Sequence, residues 1–223
     1  MSEPLRLVLV SAGTGNPSST RLLGDRVAQK TLDLMREAEA PATLSVIELG
    51  PLAVDIARAT VTGLISEDLQ GAIERLAAAD GVIAATPVYK AGISGLFKSF
   101  VDLLDNDLLV AKPILLAATA GSARHALVID EQVRPLFAYM RALSLPTSVF
   151  ATPEDWAAGE LGERIERAAG ELEVLLRAGV GREIADRNWS AHQHEFGGNA
   201  TRAERGSDDL DFDSDLMRLA RGG

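Results

Sequence analysis

Short apolar runs alternate with longer amphipathic ones along most of this chain. Residues 5–10 (LRLVLV), 43–49 (TLSVIEL), 81–85 (GVIAA), 113–118 (PILLAA) and 147–151 read as strands. Between them lie stretches with helical spacing. Residues 21–39 place Leu22, Leu23, Val27, Leu32, Leu34 and Met35 near a helical period, and 67–79 set Leu69, Ile73 and Leu76 on one face. Further helices are predicted over 94–104, 126–143 and 159–177, with Pro135 expected to kink or unwind the second of these. Strand–helix alternation of this kind predicts an α/β fold: a five-stranded parallel sheet with helices on both faces. The third and fourth strands are apolar throughout, as strands covered on both sides are. The predicted strand order is 2-1-3-4-5, with its switch point between strands 1 and 3.

From about Asp186 the pattern dissolves. The chain therefore divides into a domain, 1–180, and a polar, acidic tail, 181–223, expected to be flexible or to dock on a partner. Within the tail, 207–215 (SDDLDFDSD) is acidic, while Trp189, Phe196 and Phe212 are unusual in a purely solvating segment.

Composition narrows the chemistry. Apolar residues make up 47% of the chain but aromatics only 4%, so the core is built from Leu, Val, Ile and Ala. With no Cys there are no disulfides, thiolate metal sites or cysteine nucleophiles. That usage, and a start without a basic, apolar leader, predict a cytoplasmic protein; no window approaches a membrane helix. A formal charge of −10 argues against nucleic acid as a partner. It leaves open an anionic cofactor held by local backbone amides.

The candidate chemistry sits where strands hand over to helices. After the first strand come Ser11-Ala-Gly-Thr-Gly-Asn-Pro-Ser-Ser-Thr20 and then a helix. Ser11, Ser18, Ser19 and Thr20 offer hydroxyls and amides to a phosphate at a helix start; the same residues equally suit a plain N-cap. The loop carries neither a nucleoside-triphosphate P-loop lysine nor a dinucleotide G-x-G-x-x-G. After the third strand, Pro87, Val88, Tyr89 and Lys90 offer a rigid backbone, an aromatic and a cation; core packing for Tyr89 and a surface charge for Lys90 are the alternatives. After the fourth strand, Thr119, Ala120, Gly121 and Ser122 offer close-approaching amides and a hydroxyl, followed by Arg124 and His125.

The stretch Thr86-Pro-Val-Tyr-Lys-Ala-Gly-Ile-Ser-Gly-Leu-Phe-Lys98 resembles the flavin-ring loop of the NADPH-dependent FMN reductases, a flavodoxin-like family. Pro17-Ser-Ser-Thr-Arg-Leu-Leu23 and Arg134-Pro-Leu-Phe137 are most similar to the members partnered with luciferase-like monooxygenases. The resemblance covers roughly residues 5–177. It implies a flavodoxin-like fold, FMN as cofactor, and NADPH or NADH as hydride donor. It also implies assembly as a homodimer or homotetramer, and a flavin-dependent monooxygenase as partner. It places the FMN phosphate at Ser18–Thr20, the ring at Pro87–Lys90 and Thr119–Ser122, and the nicotinamide phosphates at Arg124 and His125, and it needs no catalytic side chain. Two departures stand out: Gly15-Asn16 replaces an Arg found in many relatives, and Glu131 stands where some sulfonate reductases insert a Tyr. Two other readings of the same fold are a quinone, azo-dye or metal-ion reductase that retains FMN, and a non-catalytic electron carrier. Self-association is also expected on a second ground: Phe97, Phe100, Leu103, Leu104, Phe137, Tyr139 and Met140 exceed what one sheet face readily buries.

Overall fold

The structure is a computed structural model and describes residues 3–189. Its centre is the sheet. Strands β1 (Leu5–Ser11), β2 (Ala42–Glu48), β3 (Gly81–Tyr89) and β5 (Pro113–Thr119) run parallel in the order β2-β1-β3-β5. Two short strands, β6 (Leu143–Ser144) and β7 (Val149–Ala151), both pair in parallel with β5 and complete its outer edge. Counted as principal strands, this is the 2-1-3-4-5 flavodoxin-like order. A further strand, β4 (Gly92–Ile93), folds back antiparallel on the end of β3.

Period-two alternation sorts the strand side chains onto two cores. Leu7, Leu9, Ile83, Ala85, Leu115 and Ala117 face one side and pack against α1 (Ser19–Glu37) and α6 (Gly159–Ala178). Val8, Val10, Val82, Ala84, Ile114 and Leu116 face the other. They pack against α2 (Ala53–Thr62), α3 (Glu67–Ala77), α4 (Gly95–Asp102) and the segment ending in α5 (Arg134–Tyr139).

Five expectations are corrected. Helix α2 is absent from the sequence reading; its outward face carries apolar Val54 and Val61, 70% and 85% exposed. After a 3-10 turn (Ala123–His125), the predicted helix over 126–143 is instead a π-helical turn (Ile129–Val133) and the short α5, after which Leu143 begins β6. Pro135 accounts for the break, since it lacks the N–H an α-helix would require there. Third, β3 does not end at Ala85 but runs through Pro87 to Tyr89, with Pro87 opposite Thr119 of β5; β1 pairs with it only as far as Ala85. Fourth, the aromatic and aliphatic surplus is buried within one chain. Phe97, Phe100, Leu103, Leu104, Phe137 and Met140 are all core residues, Phe97 and Phe137 meeting edge-to-face at 6.1 Å, and of that group only Tyr139 is exposed. These residues therefore give no ground for self-association. Fifth, the predicted tail begins as helix α7 (Val180–Asn188). Arg182 pairs with Asp80 at 2.7 Å, and Arg141 lies 5.2 Å from the Trp189 ring centroid. The acidic run, Phe196 and Phe212 lie outside the described residues. Among the described residues no helix is long and apolar enough to cross a membrane.

Candidate active site

A cleft of about 440 Å³ opens at the carboxyl ends of β1, β3, β5 and β7. Nine of the predicted residues line it: Ser18, Ser19, Thr20, Pro87, Val88, Tyr89, Thr119, Ala120 and Gly121. The topology brings them together from three connections distant in sequence.

The first wall is the β1–α1 loop. Ser18 is the N-cap of α1, with extended backbone and its Oγ accepting from Arg21 N–H at 3.2 Å. The cap reading is therefore realised, and it leaves the exposed Ser19 at the mouth of the helix. The first turn of α1 holds no acidic residue, so nothing there opposes an anion at the dipole's positive end. Gly13 is required sterically: a Cβ there would stand 1.9 Å from Ser18 Oγ. Arg21 is already engaged, by Asp25 and Glu48, each at 2.8 Å. Burial alone would lower its pKa, but these two carboxylates outweigh that and raise it.

The floor is made by two buried hydroxyls. Thr20 Oγ1 and Thr119 Oγ1 share a hydrogen bond of 2.6 Å, tying the first loop to the third. Ser11 is the exception among the candidates. It is buried under the loop, where its Oγ accepts from Gly13 N–H at 3.4 Å, and it does not line the cleft. Ser122 is half-buried beside the cleft rather than in it.

The second wall is the β3–β4 hairpin. Pro87 is buried, Val88 half-buried, and Tyr89 53% exposed, so Tyr89 is not a core aromatic. Lys90 lies on the far side of the hairpin. With Val88, Tyr89, Ala91, Arg124 and His125 it lines an adjoining open groove of about 470 Å³. Arg124 and His125 are neighbours there, Nε of the arginine donating to Nε2 of the imidazole at 3.2 Å.

A third wall escaped the sequence reading. Ala151, Thr152, Pro153 and Trp156 follow β7 and close the cleft opposite the hairpin. Asp155 fixes this turn by accepting from Thr152 N–H at 2.7 Å and Thr152 Oγ1 at 2.8 Å. The backbone N–H first, and then the hydroxyl, hold its carboxyl below the ordinary carboxylate range. The Arg26 guanidinium lies 5.7 Å from the centroid of the Trp156 ring. The rule that ligands gather at strand carboxyl ends, extended to the fifth strand, points to this wall.

A larger hollow, about 880 Å³, sits at the opposite end of the sheet, around Leu5, Asp80, Lys112 and Arg182. It lies at the strands' amino ends, away from where open α/β sheets bind ligands. Lys112 there donates to the Ala77 and Ala79 carbonyls, and burial lowers its pKa. The larger volume is therefore not the candidate site. The smaller cleft has hydroxyls and free helix amides at one end, a planar apolar wall at its middle, and cations in the groove beyond. That arrangement suits an elongated anionic ligand with a flat ring.

The relatives agree with this chemistry. Residues 5–157 match the family described as NADPH-dependent FMN reductase. The chain is 40% identical over 159 residues to NADH-dependent FMN reductase SfnF of Pseudomonas fluorescens, covering 70% of this chain and 81% of that one. It is 37% identical over 183 residues to NADH-dependent FMN reductase SfnE of Pseudomonas putida, covering 80% and 96%. An oxidoreductase from Corynebacterium diphtheriae superposes with a TM-score of 0.77 at 43% identity, over 79% of this chain and 99% of that one. The fold, the cleft and these relatives lead to one conclusion: the chain belongs to the NADPH-dependent FMN reductase family and is a flavodoxin-like NAD(P)H:FMN oxidoreductase.

Proposed function

We propose that FMN lies along the cleft with its phosphate at Ser18, Ser19 and Thr20 and its ring between the Pro87–Tyr89 wall and Thr119–Gly121, and that NAD(P)H enters by the groove of Lys90, Arg124 and His125. The single observation that carries this reading is the convergence of a Ser/Thr-rich helix start and a proline-backed wall in one cleft, with a cationic groove adjoining it across Val88 and Tyr89. The flavin supplies the hydride-accepting chemistry. The protein supplies position and electrostatics: amides and hydroxyls for the phosphate, a flat surface for the ring and, in the adjoining groove, the Lys90 ammonium for the anionic nicotinamide donor. Ser11 supports the loop from below, and Ser122 borders the ring side of the third loop.

The product, in this reading, is reduced FMN released to a two-component, luciferase-like monooxygenase. Support comes from the openness of the ring wall, where Tyr89 is half exposed, and from the similarity of the first loop and Arg134–Phe137 to reductases of that kind. The reading includes a cytoplasmic setting, where nicotinamide donors are available, and self-association to a dimer or tetramer. Leu127 and Tyr139, 64% and 68% exposed, are apolar groups open to such contacts.

Anaerobic stopped-flow mixing of the protein with FMN and each nicotinamide tests the reading. Flavin reduction that saturates in free FMN, followed by exchange of reduced flavin, is the expected result. A flavin that stays bound while passing electrons to quinones, azo dyes or metal ions would overturn the release step. No oxidation of NADH or NADPH would leave only an electron carrier.

A further inference from the structure

The tip of the ring-side hairpin is built from residues poorly suited to it. Lys90 and Ala91 form the two-residue turn between Tyr89 and Gly92, and both have positive φ, 50° and 64°. Two left-handed residues match the twist of a hairpin, but such turns favour Asn and Gly because a Cβ crowds the following carbonyl. A side chain from another element holds this one in place. Gln132 Oε1 accepts from Ile93 N–H at 3.1 Å, while its Nε2 donates to the Ala91 carbonyl at 3.3 Å. One planar amide thus grips the strand leaving the turn at two points.

Gln132 stands in the π-helical turn Ile129–Val133, where Arg134 N–H reaches back to the Ile129 carbonyl. Single π turns gather at functional sites. Gly92, between the two gripped residues, leaves room for the amide: a Cβ there would stand 3.3 Å from Gln132 Oε1. The base of the hairpin is tied separately, with Ser94 N–H donating to Thr86 Oγ1 at 3.2 Å. The tip, which carries Tyr89 and Lys90, has beyond its own Tyr89–Gly92 pairing the grip of the distant amide.

We propose that Gln132 is a positioning residue for flavin binding: its amide holds the strained Lys90–Ala91 turn so that Tyr89 is in place before the ring arrives. The proposal rests on the assignment of Pro87–Tyr89 as the ring side of the cleft. Without the clamp the turn relaxes from its left-handed conformation, and ordering it again opposes flavin binding.

Steady-state kinetics of the full-length protein provide the test. Gln132→Ala is expected to raise the KM for FMN about tenfold while kcat stays within about threefold. Glycine enters the left-handed region without steric cost, so adding Ala91→Gly is expected to bring the KM back to within about threefold of the parent. A purely structural role would lower the melting temperature, leave the FMN KM unmoved, and show no rescue by glycine. An unchanged KM in Gln132→Ala overturns the proposal, and so does a raised KM that Ala91→Gly fails to correct. Gln132→Met, apolar and of similar length, replaces the alanine variant if that protein does not fold. Tyr89→Glu separates this proposal from the site assignment. If FMN affinity survives Tyr89→Glu, the ring-side assignment fails; if Tyr89→Glu weakens FMN and Gln132→Ala does not, the clamp alone fails.

Discussion

Gly13 and Ser18 show how little room the first loop has. Gly13→Ala would drive a methyl onto Ser18 Oγ, displacing the cap of α1 and the proposed phosphate contact together. Overpacking of this kind costs about 1–3 kcal/mol, and a lost N-cap about 1 kcal/mol. The variant is expected to melt earlier and to bind FMN more weakly in a fluorescence titration; unchanged affinity would detach Ser18 from the phosphate. Ser19→Asp isolates the electrostatic part, because Ser19 is exposed and makes no core contact that the change would disturb. A carboxylate at the helix mouth repels a phosphate, so the FMN dissociation constant is expected to rise roughly tenfold or more with little change in melting temperature. Arg124 belongs to the other ligand. Arg124→Glu is expected to raise the KM for NAD(P)H about tenfold, with a smaller effect on FMN, since a charge-assisted contact is replaced by repulsion. If FMN binding vanished while nicotinamide kinetics held, the division between cleft and groove would be wrong.

The third wall is a turn whose integrity depends on one carboxylate. Asp155 accepts from both the N–H and the hydroxyl of Thr152, and its folded pKa lies below its unfolded value. For a depressed carboxyl the linkage has a fixed sign. Its contribution is complete above the unfolded carboxylate value of about 3.9 and is lost as pH falls through the lower folded value. Melting temperatures of the parent and Asp155→Asn should therefore differ at pH 6 and converge on acidification below about pH 4. A gap that persists at low pH would mean that Asn fails to fit the turn for reasons other than charge. The hairpin across the cleft is fixed differently, by the Thr86 hydroxyl at its base and Gln132 at its tip. The two walls are thus held by short side chains reaching backbone groups, while the floor is held by the Thr20–Thr119 pair.

Both faces of the sheet are covered within one chain, so folding does not require a partner to hide Phe97, Phe100 or Phe137. Among the described residues, the exposed apolar groups open to self-association include Leu127 and Tyr139, and Val54, Val61 and Leu64 on and after α2. Light scattering at micromolar concentration is expected to give at least a dimer; a fully active monomer would refute this. The net charge of −10 gives the surface a repulsive background, so the oligomer should tighten with added salt if its contacts are apolar.

Periodicity and turn chemistry are local, and what depends on them was legible in the sequence. The alternation of apolar runs marks every principal strand, α1, α3, α4 and α6; the 2-1-3-4-5 order comes from the flavodoxin-like fold that this alternation suggests, and nine of the residues that line the cleft come from the loops predicted to follow the strands. Pro135 marks the break in the helix after the third loop, though not its π-helical form. What the sequence could not reveal depends on which distant groups meet. Ser11 carries the same hydroxyl as Ser18, yet burial beneath the loop takes it out of the cleft. Trp156 lines the cleft only because β7 pairs beside β5 and delivers the following turn to the same end of the sheet. The apolar face of α4 looks excessive in one dimension, but in three it is absorbed by Phe137 and its neighbours. Gln132 is an unremarkable polar residue until the fold lays it against Ala91 and Ile93, about forty positions earlier in the chain. Sequence spacing governs which face of an element a residue occupies. Only the packing of elements decides what that face meets.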